Sequence, residues 1–184
     1  MVVDSDDVVI GASPLAKAWA EGLAHRIVYV VVEDSQGRVL LHRRAPGMVL
    51  DPNRWDTVGG HVDISPDYEE SARLELLEEA GIEAGDLQEV AHFYSETPYN
   101  NGTHPKRFIK IFWLRYDGEP DVQGDDEVSA SRWFTKQEIA SLKDSHPEQI
   151  AIGLEICLPY ILKEYEDHEH QAAGQTNRPL FHLR

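Results

Sequence analysis

The stretch GGHVDISPDYEESARLELLEEAGI, residues 59–82, constrains this chain most, because it holds a helix punctuated at both ends whose charge lies on one side. Asp67 suits the N-cap, with Glu70 reaching back in a capping box; Ser65 followed by Pro66 at the first helical position is the alternative start. Gly81 suits the left-handed residue that closes a helix. At about 100° per residue, Glu75, Glu78 and Glu79 share one face, while Leu76, Leu77 and Ala80 turn toward another. Like charges three and four residues apart destabilise a helix by roughly 0.2–0.5 kcal/mol per pair, and these lie near the negative end of the helix dipole. Either water and salt offset that repulsion or a hard divalent cation does. Mg²⁺ and Mn²⁺ are the ions that take carboxylate oxygens and keep waters for a phosphate-bearing ligand.

Charge and length narrow the function classes. A net charge of -16 and a pI near 4.8 oppose a nucleic-acid face, whose affinity rests on Lys and Arg displacing counterions. A small anionic substrate remains accessible if divalent metal supplies local positive charge. The single cysteine, Cys157, excludes an internal disulfide framework and a Cys-rich zinc site. No apolar run is long enough to span a membrane, and the start MVVDSDDVV has no basic n-region followed by an apolar one, so the cytoplasm is the expected compartment. The 184 residues suit one domain. We expect it over 1–165, with an N-terminal extension at 1–24, a core at about 25–140, a C-terminal helix at about 147–166, and a tail at 167–184 that has no period and is either disordered or docks on a partner.

Periodicity fills in that domain. HRIVYVVVED and RVLLHRR read as a hairpin around the turn DSQG, and WDTVGG is a short strand. LQEVAHFYSE, RFIKIFWLRY and SASRWF read as strands, TKQEIASLK as a short helix, and PEQIAIGLEICLPYILKEYED as a longer one. The expected class is mixed α/β: a largely hairpin-connected sheet flanked by a few helices.

The quoted stretch resembles the Nudix box of Nudix hydrolases. Anchored on Gly60, it places Glu75, Leu76, Glu78, Glu79, Gly81 and Ile82 on the box positions without a gap. The flanks agree: VLLHRR precedes the box, and EVSASRWFTKQEI is similar to the acidic residue, strand Trp and short helix that follow it. The resemblance covers roughly residues 25–140 and implies an α/β/α sandwich around a mixed sheet. It implies hydrolysis of a small-molecule diphosphate, such as a nucleoside diphosphate derivative, with Glu75, Glu78 and Glu79 holding Mg²⁺ or Mn²⁺, and a homodimer. The chain departs from the box at Pro66, where the first glutamate belongs, and at Leu74, where the arginine belongs. Arg73, one position early, is rotated away from the acidic face and is expected to pair with Glu69.

The resemblance also implies a general base outside the box, for which Glu127 is the first candidate and Glu96 the second. Phosphate-binding candidates are Arg43, Arg44, Lys106 and Arg107, since guanidinium groups match phosphate oxygens, together with Gly60 and His61. Trp55, Tyr99 and the loop TPYNNGTHPK are candidates to shape the pocket. His25, His61 and the opening DSDDVVIG are similar to isopentenyl-diphosphate isomerases, a branch that binds metal through histidines and carries Cys-Gly-His where this chain has Gly59, Gly60 and His61. That makes an isomerase one alternative; a binding module with a degenerate box is the other. Cys157, on the apolar side of the late helix, is expected to be a packed thiol.

Overall fold

Seven consecutive buried residues run along the third strand, Ile27 to Glu33, so both faces of this strand are covered and the domain is organised around it. The structure is a computed structural model that describes residues 1–63, 65, 67–99, 101–121 and 126–172, with side chains described up to 163. Its elements are β1 (Val2–Val3), β2 (Val9–Gly11), α1 (Leu15–Ala20), β3 (Ala24–Glu33), β4 (Val39–Arg44), β5 (Trp55–Asp56), β6 (Val58–His61), α2 (Tyr68–Ala80), β7 (Gln88–Ser95), β8 (Lys106–Arg115), β9 (Val128–Phe134), α3 (Lys136–Ser145) and α4 (Ile152–Ala172).

Alternation along β3 builds three layers. Ile27, Tyr29 and Val31 pack with residues of α3 and α4 such as Ile139, Leu154 and Ile161. Val28, Val30 and Val32 pack with Tyr68, Ala72, Leu76 and Ala80 of α2. Successive side chains leave a strand on opposite faces, so one β-branched run serves both helical layers and the result is an α/β/α sandwich. The full burial of residues such as Leu76 and Leu154 is worth about 1.5–3 kcal/mol apiece relative to exposure.

The sheet is mixed. β3 runs parallel to β8 over ten pairs, from Ala24↔Lys106 to Glu33↔Arg115, and antiparallel to β6 and β1. β7 adds to β8 in antiparallel fashion. The expected hairpin forms its turn, with Asp34 Oδ1 accepting from the N–H groups of Gln36 and Arg38 at 2.9 and 2.8 Å, but its ladder stops after Glu33↔Val39. β4 then leaves β3 and pairs with β5 and β9. Strand signals mark which residues are extended, whereas partner choice depends on the long-range pairing of β3 with β8 and β6.

The N-terminal segment is part of the sheet: β1 joins β2 to β3, and Arg26 Nε donates to Asp7 Oδ1 at 2.7 Å. α4 continues beyond 166 to Ala172; residues 173–184 of the expected tail lie outside the described residues. No helix among the described residues is long and apolar enough to cross a membrane.

Candidate active site

Two adjacent glycines connect the sheet to the acidic helix. Gly59 has φ 148°, and a Cβ there would meet Val28 O at 2.2 Å, so β6 can lie against β3 only with glycine in this place. Its N–H donates to Glu79 Oε2 at 2.9 Å. Gly60 leaves space of another kind, since a Cβ there would stand 2.3 Å from Glu75 Oε1. The glycine pair thus fits the carboxylates of α2 closely against the end of β6.

α2 is held in register at both ends. Asp67 is the N-cap, its Oδ1 accepting from Glu70 N at 2.9 Å. The Glu70 carboxylate does not return to Asp67; it accepts from Ser65 Oγ at 2.6 Å, and that oxygen accepts from Asp67 N at 3.2 Å. Gly81 closes the helix at φ 64°. Arg73 pairs with Glu69 at 2.7 Å and also donates to the carbonyls of Ala84 and Gly85 at 2.7 and 2.9 Å. Pro66 lies outside the described residues.

The apolar stripe of α2 differs from expectation at one position: Leu77 is 52% exposed. The buried stripe runs Tyr68, Ala72, Leu76, Ala80 in steps of four, and Leu77, 100° past Leu76, falls beyond its edge. Glu75 and Glu79 lie on the flank facing β6. Glu79 is 7% exposed, and His42 Nδ1 of β4 stands 3.5 Å from its Oε2. Glu78 is exposed.

A cavity of about 700 Å³ opens between these elements. Asp63, Glu75, Glu78, Glu79 and Glu127 line one wall; Trp19, Tyr29, His61 and Tyr99 line another; Arg44 and the loop from Gly47 to Asp51 complete it. Burial pushes Glu75 up to about 8, with the charges of Glu78, Glu127 and Asp63 adding to it. Burial and the neighbouring Glu75 charge raise Glu79 well above the usual carboxylate range, against the pull of Gly59 N–H and Arg44. Burial also brings Asp56 up to about 6, although its Oδ1 accepts from Leu154 N at 2.7 Å and Thr57 N at 3.0 Å and so anchors the start of α4 to β5.

Of the residues singled out in the sequence, the cavity brings together Glu75, Glu78, Glu79, Glu127, Arg44, Gly60 and His61. Arg44 Nη1 reaches Asp56 Oδ2 at 3.3 Å. Glu96, Arg43 and Lys106 are exposed and lie outside the lining; Glu96 accepts from the Tyr94 hydroxyl, and Arg43 Nε donates to Asn53 O at 3.1 Å. Arg107 is fully buried, stacked on the Tyr99 ring with Cζ 4.7 Å from its centroid. Trp55 packs edge-on against Phe134. Cys157 is buried in the core, accepts from Thr57 Oγ1 at 3.8 Å and is pushed up to about 12 by burial.

Sequence reasoning missed Trp19, Tyr29, His42, Asp56 and Asp63. Asp63 carried the one usable signal, being an acid two residues after His61 in the quoted stretch; the others reach the site only through strand pairing or α1. Carboxylate oxygens gathered along one cavity are the donors that Mg²⁺ and Mn²⁺ take, and the raised Glu75 and Glu79 fit a missing positive charge. Among the described residues these groups share a wall without being drawn into a finished ligand set of three or more.

Comparison with known proteins agrees with this geometry. The NUDIX domain model matches residues 23–152. An uncharacterized Nudix hydrolase of Streptomyces coelicolor is 40% identical over 126 residues, 68% of this chain and 68% of that protein. Isopentenyl-diphosphate Delta-isomerase 2 of Aromatoleum aromaticum is 28% identical over 163 residues, 88% of this chain and 85% of its own length. Among solved structures, DR0079 from Deinococcus radiodurans is similar with a TM-score of 0.68 at 26% identity, over 89% of this chain and 97% of that one.

Proposed function

The chain belongs to the Nudix family and is a hydrolase, and on that premise we propose that it cleaves a diphosphate linkage in a nucleoside diphosphate derivative or a similar small molecule, with Mg²⁺ or Mn²⁺ held by Glu75, Glu78 and Glu79. The observation that carries this reading is the wall of five carboxylates in one cavity, two of them pushed toward their protonated forms. Protons on Glu75 and Glu79 stand where a divalent ion would be taken up in exchange, since ligands deprotonate as metal binds. Such an ion, when bound, neutralises phosphoryl oxygens and makes a coordinated water more acidic.

The chain's own residues do the rest. Gly59 N–H orients Glu79, and Gly60 leaves the space that Glu75 occupies. Glu127, exposed on the cavity wall, is the group we assign to accept a proton from the attacking water at a carboxylate oxygen. Arg44 lies on the same cavity with a guanidinium suited to a phosphate oxygen. Leu74 cannot brace the helix as an arginine would; Arg73 ties α2 to the loop carbonyls of Ala84 and Gly85 instead.

The similarity to isomerases and the stacked His25 and His61 rings, 5.2 Å apart, favour a prenyl diphosphate isomerase as the second reading. It requires a reactive thiol beside the glycine, and position 59 is Gly while Cys157 is buried with its pKa raised. The deciding experiment measures product release with and without Mg²⁺ across nucleoside triphosphates, ADP-ribose, nucleotide sugars, dinucleoside polyphosphates and prenyl diphosphates. Metal-dependent hydrolysis that Glu78→Gln lacks is the expected result. Proton exchange into the prenyl substrate without hydrolysis would select the isomerase, and binding without any product would select a non-catalytic module.

A further inference from the structure

A guanidinium with no exposed surface is the most demanding group in the molecule. Arg107 of β8 is 0% exposed, and a charge is retained in the interior when it is paired and hydrogen-bonded. Its Nη2 donates to Thr97 O at 2.6 Å. Its Nε and Nη1 have no hydrogen-bond partner, so no carboxylate reaches either nitrogen. The Tyr99 hydroxyl interacts with the guanidinium through charge and a side-chain hydrogen bond, and this still leaves Nε and Nη1 without a partner.

The packing around Arg107 concentrates further unanswered nitrogens. Both ring nitrogens of His25, Nε2 of His61 and Nε1 of Trp19 are buried without a partner. Among the described residues, Trp19, His25, His61 and Arg107 together hold six buried side-chain nitrogens without a hydrogen-bond partner. The four are packed together: His25 stacks on His61, and Trp19 lies 6.5 Å from the His61 ring and 5.5 Å from Tyr99. The Leu23 backbone lies close enough to interact with one His25 nitrogen, and the other His25 nitrogen, Trp19, His61 and Arg107 still lack an acceptor. Buried polar groups are normally satisfied, and a local cluster of exceptions points to a missing partner.

The chemistry of that partner follows from the donors. Arg and Trp side chains donate only, and a histidine can turn an N–H toward an acceptor. A cation between the histidines would face Arg107, whose charge acts on both imidazoles. The partner is therefore an acceptor and negative. It enters from the cavity, since Trp19, His61 and Tyr99 line the same space as Glu75.

We propose that Trp19, His25, His61 and Arg107 form a second anion subsite that binds a phosphoryl group of the substrate, distinct from the phosphate presented to the carboxylate wall. The substrate class is then a diphosphate-linked molecule bearing a further phosphoryl group. This deepens the hydrolase reading and rests on it, but its test needs neither metal nor turnover.

The test is calorimetric titration of inorganic phosphate into the full chain in EDTA. Phosphate is expected to bind once, at least tenfold more weakly in Arg107→Gln and unchanged in Glu78→Gln. If Arg107→Gln does not fold, the unaltered protein decides the matter by NMR at fixed pH: phosphate should shift the ring resonances of His25 and His61 and leave those of the exposed His104 and His146 in place. No binding, equal affinity in a folded Arg107→Gln, shifts confined to the exposed histidines, or stronger binding of acetate than of phosphate would each overturn the proposal. Failure of the hydrolase reading, by contrast, would appear as absent metal-dependent turnover with phosphate binding intact.

Discussion

The two walls of the cavity meet burial in opposite ways. On the α2 wall, carboxylates lose hydration among their own kind, and Glu75 and Glu79 respond by holding protons. At and behind the opposite wall, burial lowers His25 to about 3, with the His61 and Arg107 charges adding to it, and His61 to about 4, with the N-terminus and Arg107 adding to it, leaving both imidazoles neutral at pH 7. Arg107 has no such escape, because a guanidinium stays protonated in proteins. A buried acid can defer its need for a counter-charge and reveal it as pH dependence. A buried guanidinium cannot, and reveals it as donors without acceptors.

The sharpest separation of the two walls is kinetic. Glu78→Gln is expected to lower kcat by about 10²-fold or more, the order found when a group stabilising transition-state charge is removed. Arg107→Gln should mainly raise KM, by about tenfold, as loss of uniform binding does. Steady-state rates on the preferred substrate check both; equal losses of kcat would mean that the walls act as one unit.

The glycine pair separates fold from site. Gly59→Ala drives a Cβ into Val28 O and the Tyr29 backbone, and is expected to destabilise by about 3 kcal/mol or more, lowering Tm by roughly 6–12 °C. Gly60→Ala meets only the Glu75 carboxylate, and should keep Tm within about 2 °C while reducing turnover. Similar melting losses in the two variants would remove the distinction.

The acidic wall should also be visible in melting curves. The folded-state pKa of Glu75, about 8, lies above its ordinary 4.5, so between those values the native state keeps a proton that the unfolded chain sheds. The contribution of Glu75 to stability is therefore greatest at the acid end of that window and falls as pH rises from about 4.5 to 8. Differential scanning of metal-free protein at pH 7 and pH 8 measures the loss, because below about 6.5 the lowered His25 and His61 act in the opposite direction. At pH 8, divalent cation at 100 times its Kd should return about 2.7 kcal/mol, or roughly 5–11 °C. A flat profile would show that no protons are stored there. The smallest effect is expected behind the wall: Arg73→Ala should lower stability by about 1 kcal/mol and leave turnover unchanged, as chemical denaturation and rate measurements would show.

Periodic and capped elements were legible in the sequence. The residues of α2, β7, β8 and β9 were marked by local patterns, and the pairing of Arg73 with Glu69 followed from helical spacing. Glu75, Glu78 and Glu79 were placed on one wall for the same reason. The separation of β4 from β3 was not legible, because it depends on which distant strand occupies the neighbouring edge. The cluster behind the second wall was hidden for a related cause: Trp19, His25, His61 and Arg107 come from four elements, and no local pattern marked Arg107 as buried. Leu77 went the other way, since composition marks a leucine as apolar but not which side of a stripe edge it occupies.

The parallel pairing of β3 with β8 also sets the order in which the site can come into being. Residues in register across it, such as Ile27 and Ile109, are about 80 positions apart, and contacts of such separation form slowly because a long loop must be closed before they return any stability. β6, α2 and β7 all lie within that loop. A growing chain that has reached Glu79 therefore carries the acidic helix and Arg44 but not yet Arg107. Only after β8 has been synthesised and docked do both walls exist, which makes the completed cavity a late product of folding.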